Sequence, residues 1–165
     1  KVPFEIIKSH VDRVVTVTED EIAKAMLGVM ERSKLVVEAG GAVGAAALAA
    51  KKLKLKGKTA VILSGGNIDP LLLQRVIRHG LAASDRYTNI AVMLPDRPGQ
   101  LVRTAQAVAS AHANVVEVLH TRHGNGLEIS EVELDLSVET RGKAHRDEVV
   151  ESLKKAGLKP RLFEN

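Results

Sequence analysis

The sequence predicts a mixed fold in two parts, an α/β segment over residues 1–86 and an α+β domain over residues 87–165. The first part combines apolar runs typical of buried strands with amphipathic helical patterns, but it holds too few strands for a complete sheet. The second part follows the order strand, helix, strand, strand, helix, strand. A polar stretch at 84–87 is the predicted joint between the two domains.

Composition narrows the functions open to these 165 residues. There is no cysteine, which excludes disulfides, thiolate catalysis and cysteine-based metal sites. Aromatic residues make up 2% of the chain, too few for a base-stacking surface, so we expect no nucleic-acid partner. No apolar run is long enough to span a membrane, so we expect no membrane partner. The absence of cysteine favours a reducing environment, so we expect a cytoplasmic location. The histidines show no metal-ligand spacing and stand at His10, His79, His112, His120, His123 and His145.

The first domain begins with alternating strand and helix signals. Residues 14–17 predict a short buried strand, and residues 59–63, which are apolar without alternation, predict a second strand that is buried on both faces. Thr18 and Glu21 match a capping box, which predicts the start of a helix. The apolar positions of that helix are Ile22, Met26, Leu27 and Met30. The glycine- and alanine-rich stretch 39–50 predicts a helix that lies close to a sheet or a ligand.

Two further stretches complete the first domain. The lysine-rich run 51–58 holds much of the net charge of +4. It is compatible with a phosphate-binding patch, but we favour a solvated helix end that stops at Gly57, because lysines are favourable near a helix C-terminus. A last helix is predicted from apolar positions at Leu71, Leu72, Val76, Ile77 and Leu81.

The second domain has clearer periodicity. Residues 89–94 predict the first strand, and Pro98 predicts the start of a helix. The inner face of that helix is predicted at Leu101, Ala105, Val108 and His112. Residues 114–122 predict the second strand, and His120 and Arg122 alternate along it. Residues 123–126 contain the glycines and asparagine of a hairpin turn.

The remaining elements follow in order. The third strand has one apolar face, formed by Val132, Leu134, Leu136 and Val138, and one wet face, formed by Glu131, Glu133, Asp135 and Ser137. The second helix turns Val149, Val150, Leu153 and Ala156 inward. Gly157 ends this helix, and residues 158–163 predict a last strand, which Pro160 places at an edge.

The turn after the first strand is the candidate ligand site. It consists of Asp96, Pro98, Gly99, Gln100 and Leu101. Gly99 leaves room for a ligand near the backbone, and the following helix N-terminus favours a carboxylate. Asp96 could meet an α-amino group, and Asn114, at the start of the next strand, could bind both groups of a zwitterion. Alternatively, Asp96 and Asn114 are only turn and cap residues, because both types favour such positions.

With the pattern over residues 87–165, this turn resembles that of an ACT domain, a ferredoxin-like regulatory module of amino-acid metabolism. The resemblance implies an amino-acid effector, isoleucine or valine, bound at an interface within a homodimer or a higher homo-oligomer. Many members of the family bind nothing and only dimerise, which leaves an assembly module of a catabolic enzyme as an alternative. A free-standing amino-acid-binding regulatory protein is a third hypothesis.

Residues 1–86 resemble the C-terminal part of the catalytic domain of threonine dehydratase (threonine ammonia-lyase), a fold-type II pyridoxal-phosphate enzyme. The motifs lie at 11–22, 37–44 and 63–69. The resemblance implies that pyridoxal phosphate contacts Ser64 at its ring nitrogen, with Gly65, Gly66 and Asn67 in the same turn. Glu38 would lie near the ring or serve as a structural carboxylate.

The same resemblance implies the activity of the intact enzyme, which would convert threonine to 2-oxobutanoate and ammonia, with serine as a second substrate. The Schiff-base lysine and the phosphate-binding glycine loop of the family lie upstream of these motifs. We therefore assign no catalytic residue, and we expect this chain alone neither to hold the cofactor well nor to catalyse the reaction.

Overall fold

The computed structural model describes residues 2–122 and 127–163. Contacts divide the chain into two compact units, residues 1–77 and 78–165. The elements are α1 (Val2–His10), α2 (Glu19–Ser33), α3 (Ala39–Ala49), α4 (Pro70–Ala83), β1 (Tyr87–Pro95), α5 (Gln100–Ser110), β2 (Asn114–Thr121), β3 (Glu131–Glu139), α6 (Lys143–Lys155) and β4 (Lys159–Leu162). Within the described ranges, none of the helices has both the length and the apolarity needed to cross a membrane.

The predicted start of α2 is confirmed. The Thr18 hydroxyl accepts a hydrogen bond from the Glu21 amide at 3.2 Å, and the Glu21 carboxylate accepts one from the Thr18 amide at 2.8 Å. Each bond satisfies an amide that has no partner within the helix. Further along α2, Met26 is 2% exposed and packs with Val37 and Ala42 in the core of the first unit.

Small residues bring α3 against the segment that precedes α4. A Cβ atom on Gly41 would overlap the Ser64 carbonyl, and one on Gly44 would lie 3.0 Å from Cγ1 of Val61. The expectation that small residues allow close approach is therefore confirmed. The surface that α3 approaches is a segment of irregular backbone rather than a sheet.

The prediction of two strands in the first unit is wrong. Neither 14–17 nor 59–63 forms a ladder with another described segment. Val14 and Ile62 are 76% and 86% exposed, so neither run is buried as predicted. A strand needs a neighbour for its amides and carbonyls, and the described residues of this unit supply none.

The predicted end of α3 is also wrong. The helix ends at Ala49, and the lysine-rich run follows it as irregular backbone. Lys51 adopts a left-handed conformation with φ of 54°, and the Lys52 amide donates to the Ala47 carbonyl at 3.0 Å. This closure satisfies the last carbonyls of the helix before the chain reaches Gly57, the predicted stop.

The βαββαβ order predicted for the second unit is confirmed. Its four strands form an antiparallel sheet in the order β2-β3-β1-β4, with Ile90 of β1 opposite Leu136 of β3 and Leu162 of β4. α5 and α6 cover one face of the sheet. The core between the layers contains Ile90, Val92, Leu94, Ala107, Val108, Val132, Leu134, Leu136, Val138, Val149, Leu153 and Leu158.

The alternation predicted along β3 is confirmed on its apolar face, which is buried in this core. The other face is only partly wet, because Ser137 is 9% exposed and donates a hydrogen bond to Asn89 Oδ1 at 2.9 Å. Pro160 lies in β4 at an edge of the sheet, as predicted. The predicted hairpin turn at 123–126 lies outside the described residues.

The prediction of which residues of α5 face the core is mostly wrong. Val108 is buried, but Leu101, Ala105 and His112 are exposed. Their place is taken by Thr104, which is fully buried and whose hydroxyl donates to the Gln100 carbonyl at 2.9 Å. A hydroxyl bonded within its own helix can be buried at low cost, so the buried stripe is rotated away from Leu101. It consists of Thr104, Ala107 and Val108.

Candidate functional site

The first candidate site is the turn 64–67 in the first unit. Gly65 has a φ of +70°, and a Cβ atom there would overlap the carboxyl group of Glu38. The Glu38 amide donates to the Gly65 carbonyl, which ties the turn to the N-terminus of α3. The structure therefore brings together Glu38 and Gly65, two of the residues predicted for the cofactor.

The polar side chains of this turn are available to a ligand. Ser64 and Asn67 are exposed, and neither side chain forms a hydrogen bond within the described part of the chain. A hydroxyl can both donate and accept, so Ser64 can bond a ring nitrogen. Gly66 is exposed in the same turn. These groups fit the pyridine edge of pyridoxal phosphate.

The second candidate site is a cleft of about 280 Å³ in the second unit. Five of the six residues predicted for an effector line it, namely Asp96, Pro98, Gly99, Gln100 and Leu101. The apolar lining comes from Leu94, Val132 and Leu134 of the sheet. The cleft thus joins a polar turn to an apolar surface, as a ligand with charged and apolar ends requires.

Gly99 shapes the mouth of this cleft. It has a φ of +89° and is the N-cap of α5, with no side-chain cap. A side chain would be strained at this φ even though a Cβ atom would meet nothing within 4 Å. Glycine is therefore needed here for backbone conformation, and the open space beside it is free for a ligand.

Charged and polar groups also meet in the cleft. The Arg122 Nε donates to Asp96 Oδ2 at 3.3 Å, and both side chains remain about half exposed. The Gln100 Oε1 atom is buried and has no hydrogen-bond partner within the described residues. Among its described residues, the site thus holds one ion pair and one unused acceptor.

The structure does not bring Asn114 to this cleft within one chain. Asn114 begins β2 and pairs in register with Glu139, which in turn pairs with Tyr87 at the start of β1. The turn at Asp96 follows the other end of β1, about 26 Å away at roughly 3.3 Å per residue. The Asn114 carboxamide instead donates to Glu139 at 3.3 Å.

Two residues of the cleft, His120 and Arg122, were not predicted for the site. His120 lies near the end of β2, Arg122 directly follows the strand, and both line the cleft with the turn. Their alternation along the strand was the available signal, because it places both side chains on one face. Within the described ranges, no cluster of three or more histidine and carboxylate side chains could hold a metal ion.

Comparisons with known proteins identify relatives of this chain. A family model described as "Pyridoxal-phosphate dependent enzyme" matches residues 1–65. An L-threonine ammonia-lyase of Geobacter sulfurreducens is 44% identical over 155 residues, which cover 93% of this chain and 39% of that protein. An L-threonine ammonia-lyase of Thermotoga maritima is 40% identical over 160 residues, which cover 96% of this chain and 40% of that protein.

This chain thus spans about two fifths of the length of the curated relatives that it matches. Among solved structures, the regulatory subunit of aspartate kinase from Thermus thermophilus is similar with a TM-score of 0.38 and 22% identity. That match covers 47% of this chain and 50% of the other.

Proposed function

We propose that this chain, a homologue of L-threonine ammonia-lyases over nearly its whole length, is the C-terminal regulatory portion of such an enzyme. Similarity over 93% and 96% of the chain is the observation that carries the proposal. The first domain, residues 1–86, would complete a pyridoxal-phosphate catalytic domain, and residues 87–165 would form an ACT domain. The whole enzyme would convert threonine to 2-oxobutanoate and ammonia, and would also accept serine. The cytoplasmic location expected from the sequence stays a prediction.

The turn 64–67 would contribute to the cofactor site of the whole enzyme. When bound, pyridoxal phosphate supplies an electron sink at the substrate's α-carbon. The Ser64 hydroxyl would form a hydrogen bond with the ring nitrogen. Gly65, Gly66 and Asn67, in the same turn, would position Ser64. A neutral hydroxyl does not hold that nitrogen protonated as a carboxylate would, which suits elimination of a β-hydroxyl. Glu38 would either approach the ring or, through its bond to Gly65, hold the turn.

We also propose that no lysine of this chain stands in the sequence context of the Schiff-base lysine, and that the chain is therefore inactive alone. The test incubates the purified chain with pyridoxal phosphate and threonine and assays 2-oxobutanoate. No product is expected, and a cofactor absorbance spectrum like that of free pyridoxal phosphate is expected. Turnover above the cofactor-only control would contradict this proposal.

The cleft in the second unit would bind the amino-acid effector, isoleucine or valine, at an interface between two copies. β2 is an edge strand with exposed apolar side chains at Val116, Val118 and Leu119. Antiparallel pairing of β2 with β2 of a second copy, about a two-fold axis near its middle, would place the partner's Asn114 beside Thr121. That position adjoins the cleft, so dimerisation would complete the set of predicted effector residues.

Calorimetric titration with isoleucine, valine, threonine and serine, with the oligomer mass measured in parallel, tests the effector site. Saturable binding of isoleucine or valine by a dimer, weakened by Asp96→Ala and by Asn114→Ala, is the expected result. Loss on Asp96→Ala alone would place the site within one copy and contradict the interface.

A second candidate function is assembly without ligand binding. The ion pair between Asp96 and Arg122 favours it, because the charge that would receive an amino group already has a partner. A folded dimer that binds none of the four amino acids would support this candidate and contradict the effector site.

A further inference from the structure

The cleft beside the 96–101 turn has a charge arrangement that matches a zwitterion. The negative carboxylate of Asp96 and the positive guanidinium of Arg122, which both line the cleft, form an ion pair at 3.3 Å. A free α-amino acid also carries one positive and one negative group, the ammonium and the carboxylate, both attached to its α-carbon. Each end of the ligand therefore has a matching group in this pair.

The pair is one that a ligand can open. The side chains of Arg122 and Asp96 are 53% and 42% exposed, and a single hydrogen bond joins them. Ion pairs of this exposure contribute little to stability, typically well below the strength of a buried pair. Opening the pair for a ligand therefore has a low cost, provided that both charges find new partners.

We propose that an amino-acid effector enters this cleft by exchanging with the ion pair, so that Arg122 binds its α-carboxylate and Asp96 its α-ammonium group. The proposal rests on the proposed function of the cleft as an effector site and assigns Arg122 as the specificity-determining residue. The guanidinium presents several donors in one plane and suits a carboxylate. The net charge of the cleft is unchanged by the exchange, since both the pair and the ligand are neutral.

A third group supports this orientation. Gln100 Oε1 is buried and accepts no hydrogen bond within the described residues. A buried acceptor without a partner is unfavourable, and an ammonium group has three donors. With one donor to Asp96 and one to Gln100, the ligand would satisfy both oxygens. The amino-acid side chain would then lie against Leu94 and Val132, which line the cleft.

This geometry makes the selectivity depend on both charges at once. An amino-acid amide retains the ammonium group but leaves Arg122 without a carboxylate. The matching 2-oxo acid retains the carboxylate but leaves Asp96 without a cation. Either analogue separates Asp96 from Arg122 but gives a new charged partner to only one of them. Each is therefore expected to bind about ten-fold more weakly than the amino acid.

The test compares isoleucine, isoleucinamide and the matching 2-oxo acid by calorimetry at neutral pH, on the 165-residue chain. In Arg122→Gln, the preference for isoleucine over its amide should fall about ten-fold, whereas the preference over the oxo acid remains. In Asp96→Asn, the reverse is expected. Arg97→Gln is the matched control, because it removes the same charge from the same cleft and is expected to preserve both preferences.

The outcomes separate this proposal from the one on which it rests. If wild type binds isoleucine or valine and Arg122→Gln keeps the full preference over the amide, the ion-pair exchange is overturned and the effector site stands. If Arg97→Gln lowers the same preference as much as Arg122→Gln, the role belongs to overall charge, and the exchange is again overturned. If wild type binds neither amino acid, both proposals fall.

Discussion

Gly65 and Glu38 lie so close that any side chain at position 65 would displace the side chain of Glu38. A Cβ atom there would overlap the carboxyl group of Glu38, and the φ of +70° already disfavours other residues. The contact fixes the turn that we propose for the ring edge of the cofactor. The turn 64–67 is therefore packed closely against the N-terminus of α3, where Glu38 is the N-cap residue.

This contact leads to a prediction for Gly65→Ala. The substitution should lower the free energy of unfolding by about 2–3 kcal/mol, because displacing the Glu38 side chain from its place beside the turn adds to the cost of a left-handed residue. Gly57→Ala is the matched control, since Gly57 has a φ of +77° but no atom near its Cβ position. It should cost only about 1–2 kcal/mol. Denaturant unfolding measures both, and equal losses would contradict the role of the contact.

The capping box of α2 gives a second prediction. Thr18→Ala removes the hydroxyl that accepts from the Glu21 amide and should lower the free energy of unfolding by about 1 kcal/mol. Thr16→Ala should change it by less than about 0.5 kcal/mol, because Thr16 is exposed and outside the helix. Thermal unfolding followed by circular dichroism distinguishes them, and a similar effect of both would argue against the cap.

Glu21 should make stability depend on pH. The bond from Lys52 and the bond from the Thr18 amide hold the pKa of Glu21 below its ordinary value of 4.5. A carboxyl group with a lowered folded-state pKa stabilises the fold above its unfolded-state pKa, and this is lost as the pH falls through the folded-state pKa. Wild type should therefore lose stability more steeply below about pH 4.5 than Glu21→Gln, which retains the cap. Parallel unfolding curves across this range would refute the linkage.

The pKa of Asp135 is shifted in the opposite direction to that of Glu21. Burial, and then the charge of Glu133, raise the pKa of Asp135, and Arg161 opposes this shift. A raised folded-state pKa means that the ionised group destabilises the fold at neutral pH, and stability is gained as the pH falls through that pKa. Asp135→Asn should therefore raise the free energy of unfolding at pH 7, by about 0.5 kcal/mol.

Asp147→Asn is the control for this experiment, because it should change the free energy of unfolding in the opposite direction. Lys143 and then Arg146 lower the pKa of Asp147, so its removal should destabilise the fold at pH 7. Unfolding of both variants at pH 7 provides the measurement. Destabilisation by Asp135→Asn would contradict the direction of its pKa shift.

The edge strand β2 gives a prediction for self-association. Leu119 is 60% exposed on this strand, and lysine on an edge strand disfavours pairing with another chain. Leu119→Lys should shift a dimer towards monomer by at least about ten-fold in dissociation constant. Phe163→Lys follows the other edge strand and should leave the mass unchanged. Sedimentation at several concentrations measures both, and an unchanged Leu119→Lys dimer would exclude pairing through β2.

The second unit was largely predictable because its signals are local. Alternation along β3 and glycine after α6 depend on neighbouring residues, and both correspond to the structure. The stripe of α5 was not predictable from hydrophobicity, since Thr104 is buried through a bond to its own helix. Likewise, apolar runs at 14–17 and 59–63 indicate burial but cannot supply the partner that a strand requires.

The candidate sites were predictable in part for the same reason. Turn residues such as Gly99 carry a local backbone requirement that a sequence displays. The distance between Asn114 and Asp96 depends on sheet order, and the pairing of Asp96 with Arg122 depends on which strand ends meet. These are long-range relationships, and spacing along the chain contains no information on them.

The position of β4 has a consequence for synthesis on the ribosome. Ile90 pairs with Leu162, so the first strand of the sheet lacks its outer neighbour until the last strand has been translated. Until then, β1 presents an open apolar edge on which nascent chains can associate. Premature termination before Lys159 should therefore yield an aggregation-prone product rather than a smaller stable domain.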